Sequence, residues 1–64
     1  MVQSTIDKIK GNWNQITGKV KEKYGEITDD DLKRAEGQED QLVGVIQEKT
    51  GESKEKIKEF IDSL

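Results

Sequence analysis

The densest group of chemically capable side chains in this sequence is the carboxylate run Asp29-Asp30-Asp31. Carboxylate oxygens are the ligands that calcium and magnesium take, so a hard-cation site is the first chemistry to consider. A calcium-binding EF-hand loop also needs a glycine at its sixth position and a closing glutamate, and neither falls in register here. The first turn of a helix, where the macrodipole favours negative charge, accounts for the same residues. No metal ligand is expected. Glu39 and Asp40 form a second carboxylate pair. Acid–base hydrolysis would need one of them desolvated enough to hold its proton near neutrality. A chain of 64 residues is too short for that: domains of this size bury only roughly 60% of the surface their unfolded chains expose. A solvated face is the better account.

Histidine and cysteine are both absent. Their absence removes the commonest general base, the commonest transition-metal ligand, every thiolate reaction and any disulfide. No serine stands in a nucleophile-elbow context, and no glycine-rich loop follows a strand. The chain is therefore expected not to be an enzyme, with no catalytic, cofactor-binding or metal-binding residue and no small-molecule substrate. Trp13 and Tyr24 could stack on bases, but both fall on an apolar helical stripe, where core packing explains them. Lys19, Lys21 and Lys23 could touch phosphates, yet three lysines on one helix make an ordinary solvated face. Neither nucleic acid nor membrane is expected as a partner.

The elements that carry these residues are all helical. Ile6, Ile9, Trp13, Ile16, Val20 and Tyr24 form one stripe at helical spacing. That spacing predicts a helix over 4–24, with Gly11 a candidate break. Further helices are expected over 29–36, 38–50 and 54–63. Thr28 or Asp29 suits an N-cap, and Thr28 with Asp31 approximates a capping box. Ser53 suits the N-cap of the last helix, whose Ile57, Phe60, Ile61 and Leu64 fall on one face. Strand signals and proline are both missing. The fold class predicted is all-α: a small bundle of four to five short helices in a single domain, 1–64, built as two hairpins packed across each other.

The glycines suggest a duplicated unit, with Gly11, Gly18 and Gly25 matched by Gly37, Gly44 and Gly51 at an offset of 26 residues. Over 11–26 and 37–52, seven of sixteen positions are identical. Gly25 and Gly51 are expected as left-handed helix caps. Interior Gly18 and Gly44 each cost about 1 kcal/mol relative to alanine, which points to close approach of two helix backbones. In this register Val43 and Val45 replace Thr17 and Lys19, so the second long helix is apolar around more of its girth. Either the last helix covers that extra face, or it pairs with a protein partner or another copy.

Composition sets the limits on function. Charged residues make up 39% and hydrophobic ones 30%, a balance close to that of disordered chains. Residues 1–26 carry five lysines against three acids, and 27–64 carry six basic side chains against eleven acidic ones, leaving a net charge of −3. The interleaving of signs favours solvated helix faces over a repelling tail. With no signal-peptide pattern and no apolar run near the roughly 20 residues of a membrane span, a cytoplasmic location is expected.

Three blocks carry a family resemblance. Gly11-Asn-Trp-Asn-Gln-Ile-Thr-Gly-Lys-Val-Lys-Glu-Lys-Tyr-Gly25 is similar to the signature of the CsbD-like family, G-x-W-x-Q-x-x-G-x-x-K-x-x-W/Y-G. Ile27-Thr-Asp-Asp-Asp-Leu32 resembles the L-T-D-D-D-L that follows it, and Gly37, Leu42, Gly44, Gln47 and Gly51 resemble the remaining block. Together they cover 6–60. Tyr24 stands where tryptophan is common, and Thr50 where many members have an aromatic. The resemblance implies a small bacterial protein induced by general stress, with a compact helical bundle. The family has no agreed biochemical activity, so it supplies no site residues.

Two functions are then in competition. One is a folded stress-response module that binds a protein or itself around Val43 and Val45. The other is a hydrophilic, loosely ordered protectant in osmotic or desiccation stress. The second is motivated by a mean hydropathy of −0.95 and by Thr17–Glu26, which looks like the repeats of late-embryogenesis-abundant proteins.

Overall fold

A computed structural model describes residues 3–64, with side chains from residue 4 onward; the first two positions of the predicted domain lie outside the described residues. Five α-helices follow one another: α1 (Gln3–Gly11), α2 (Trp13–Lys23), α3 (Asp29–Ala35), α4 (Leu42–Thr50) and α5 (Lys54–Asp62), with a 3-10 turn at Glu39–Gln41 leading into α4. No strand occurs among the described residues. The predicted helix over 4–24 divides at Asn12, one residue past Gly11. Asn12 leaves helical angles (φ −138°, ψ 39°), while hydrogen bonds from its N–H to the Lys8 carbonyl (3.1 Å) and from the Ile16 N–H to its own carbonyl (2.9 Å) carry the chain across. The predicted helix over 38–50 likewise opens with the 3-10 turn.

Helix ends follow local chemistry. At α3 the Thr28 hydroxyl accepts from the Asp31 N–H (3.2 Å), and the Asp31 carboxylate accepts from the Thr28 N–H (3.0 Å), a reciprocal capping box. Ser53 caps α5 by accepting from the Lys56 N–H. Replacing Thr28 with alanine should cost about 1 kcal/mol, read as a lower midpoint in urea with an unchanged slope.

The core is assembled from one face of every helix. Ile9, Ile16, Val20, Leu42, Val43, Ile46, Ile57 and Ile61 are essentially sealed from solvent, with Tyr24, Ile27, Leu32 and Ala35 around them. Trp13, Val45, Phe60 and Leu64 pack against this cluster half-buried. Helix α4 packs between α3 and α5, and α5 returns against α1, so the last helix closes the bundle. The Cα radius of gyration is 10.2 Å, close to the ~11 Å that a folded domain of this length should have. A polar clasp joins the first helix to the last. Buried Thr5 donates to the Asp62 carboxylate (3.0 Å), and the Lys8 ammonium donates to the Asp62 and Leu64 carbonyls.

Three expectations about glycine need correction. Gly25 does not take the left-handed conformation; positive φ falls at Gly37 (84°) and Gly51 (73°). After Gly25 the chain turns at once to bring Ile27 into the core, with the Ile27 N–H on the Tyr24 carbonyl at 3.0 Å. Gly18 and Gly44 are exposed, and a Cβ built on either meets nothing within 4 Å. They mark no close approach of helix backbones. Of the glycines that the 26-residue offset equates, Gly18 and Gly44 both lie within helices, whereas Gly11 and Gly25 lack the positive φ of Gly37 and Gly51, so the sequence repeat is not carried through the backbone at those two pairs.

Candidate functional site

The three consecutive carboxylates are drawn apart. Asp31 is 6% exposed and is held by Thr28, by Arg34 (3.2 Å) and by Lys49 from α4 (3.4 Å). Asp29 pairs instead with Lys21 at 2.6 Å. Among the described residues, no group of three or more acidic side chains could hold a metal ion. Glu39 and Asp40 sit in the 3-10 turn, half-buried and exposed respectively. Lys19 and Lys21 are paired with Glu22 and Asp29. Val43 is 1% exposed and floors a depression of about 330 Å³ lined by Ile6, Asp40, Gly44, Gln47 and Lys54. Val45, on the same helix, remains half-exposed.

Hydrogen bonds and ion pairs hold several carboxylates charged. Backbone and hydroxyl donors from Thr28, then Lys49, lower the Asp31 pKa against the opposing effect of burial. Lys58, then Thr5 and Lys8, lower that of Asp62. A folded-state pKa below the unfolded value means that the unfolded chain binds protons first as pH falls. These two carboxylates therefore stabilise the fold fully above their unfolded pKa of about 4, and that stability disappears as pH falls through the lowered values. A urea midpoint flat from neutrality to about pH 5 and falling below about pH 4 is the expected profile. Asp31→Asn should flatten that fall.

Sequence reasoning did not anticipate a groove of about 440 Å³ between the end of α2 and α5, lined by Lys23, Tyr24, Glu52, Lys56, Glu59 and Phe60. Tyr24 and Phe60 meet edge to face, with ring centroids 5.9 Å apart and planes at 85°. The Lys23 ammonium lies over both rings, 5.1 Å from Phe60 and 5.7 Å from Tyr24. The Tyr24 hydroxyl is buried and has no hydrogen-bond partner among the described residues. Its pKa is raised, first by burial and then by the Glu52 carboxylate. The only sequence signal was the position of each ring at the end of an apolar stripe; their meeting is a tertiary event. Because a buried unsatisfied hydroxyl costs free energy, Tyr24→Phe should stabilise the fold by about 1 kcal/mol. Tyr24 is the chain's single tyrosine, so an absorbance titration of the parent protein should show it ionising later than free tyrosine. Ionisation of Tyr24 therefore destabilises the fold as pH rises from about 10 through its raised folded-state pKa.

The described residues form a small five-helix, all-α bundle. The chain belongs to the CsbD-like family, whose profile matches residues 7–59. This is a family of bacterial general-stress-response proteins of unknown molecular function. UPF0337 protein PA4738 of Pseudomonas aeruginosa is 50% identical over 62 residues, covering 91% of this chain and 95% of that protein. UPF0337 protein YjbJ of Escherichia coli K12 is 53% identical over 57 residues, covering 88% and 83%. A UPF0337 protein of Bordetella pertussis is 47% identical over 60 residues, covering 88% and 91%. No solved structure matches the chain significantly. Among the described residues, no helix is long and apolar enough to cross a membrane.

Proposed function

We propose that this chain acts in the stress response as a folded, non-catalytic protein-interaction module. The observation that carries this reading is the closed apolar core, from Ile9 to Ile61, in a chain that is 39% charged. A loosely ordered protectant has no use for a core of mutually buried isoleucines, because its action needs no fixed surface. The contact surface proposed is α4 around Val43 and Val45: the depression floored by Val43, and half-exposed Val45, which lies on a different side of the same helix. Gly44 stands at the wall of that depression with open space where a Cβ would be, which leaves room for a partner's side chain. Val45→Lys and Gly44→Lys should keep helicity while abolishing self-association in sedimentation, or capture of a partner from stressed cells. Association identical to the parent protein in both variants would overturn the reading. The protectant reading draws on composition and on the Thr17–Glu26 segment, and predicts protection of a test enzyme at molar excess, beyond that given by an unrelated acidic protein.

A further inference from the structure

We propose that the groove between α2 and α5 binds small zwitterions, an activity independent of the protein-interaction reading. Five ion pairs form among the described residues, none of them in this groove. Lys23, Lys56 and Glu59 make no ion pair among the described residues, and Glu52 accepts only the Ser53 N–H, at 3.2 Å. The lining thus presents two ammonium groups and two carboxylates with free valence around a pair of aromatic rings.

That composition discriminates among ligand classes. A simple anion attracted to the lysines meets Glu52 and Glu59, and a simple cation attracted to the glutamates meets Lys23 and Lys56. A zwitterion satisfies both signs at once. Its ammonium end belongs over Phe60 and Tyr24, where the rings already attract the Lys23 ammonium, flanked by the two glutamates. Its carboxylate end belongs at Lys56. The cation–ring contact made by exposed Lys23 is a weak one, so a ligand cation can displace it. The volume of about 440 Å³ admits a molecule of amino-acid size. The binding implies no reaction.

The test is a titration of the whole chain followed by amide NMR, with glycine and trimethylglycine as probes. Acetate and tetramethylammonium chloride serve as single-charge controls at matched ionic strength. Both zwitterions should shift the amides of Lys23, Tyr24, Lys56 and Phe60 along saturating curves in the millimolar range, and neither control should. Phe60→Leu should weaken binding about fivefold, in keeping with loss of a cation–ring contact. Glu59→Gln, at an exposed position, gives the same test without touching the core. Shifts that fail to saturate or scatter over the surface would overturn the proposal. So would equal shifts from either control, or saturating shifts unchanged in both variants.

Discussion

Ile46→Ala should abolish the cooperative thermal transition of this protein. Ile46 is fully buried in α4, the helix packed between α3 and α5. Truncating a buried isoleucine to alanine costs about 2–5 kcal/mol, because the lost transfer free energy adds to the cavity left behind. A domain of this length has a total stability of only about 3–10 kcal/mol. The variant should therefore be largely unfolded on mild warming, with weak helical circular dichroism and a broad melt. Val45→Ala, one position earlier and half-exposed, should cost less than about 1 kcal/mol. The contrast between neighbours reads the orientation of α4 directly: similar losses in both would mean that α4 is rotated relative to the bundle described.

The second large effect has the opposite sign. Gly18→Ala and Gly44→Ala together should stabilise the protein by about 2 kcal/mol, since each glycine costs about 1 kcal/mol in a helix interior. Both positions are exposed, and the added methyl groups meet nothing. For a domain of this size the gain corresponds to a rise in Tm of roughly 8–16 °C. Gly51→Ala should lower Tm, because its φ of 73° is one that alanine adopts only with strain. Were Gly18 and Gly44 points of helix contact, the double variant would be destabilised. A glycine placed where the fold gains nothing from it is consistent with contacts outside this chain, and at Gly44 that coincides with the depression proposed as a partner site.

Much of the fold was legible because its causes are local. The stripe from Ile6 to Tyr24, the Thr28 capping box and the Ser53 cap are each written within a few consecutive residues. Those features place the start of α1, the end of α2 and the starts of α3 and α5 to within about two residues. The glycine conformations were not legible. Gly25 and Gly51 are both followed by glutamate, yet only Gly51 is left-handed. What separates them is the destination of the chain: Ile27 must enter the core at once, whereas Ser53 begins a new helix in solvent. Thr5 gives no sequence sign of burial, because its partner Asp62 lies 57 residues away. The groove at Tyr24 and Phe60 was hidden for the same reason. Each ring read correctly as a core-facing residue, and only the return of α5 makes them a pair. The extra apolar face on α4 was visible in the sequence, and burial of Val43 with half-exposure of Val45 divides it between core and surface.

The central claim is that this hydrophilic chain is a cooperative, packed bundle. A thermal melt followed by helical circular dichroism and by the fluorescence of Trp13, the single tryptophan, tests it most directly. The packed bundle predicts coincident sigmoidal transitions, with Trp13 emission shifting from a half-buried to a fully solvated position at the same temperature. A gradual loss of weak helicity, with Trp13 already fully solvated in the cold, would contradict it.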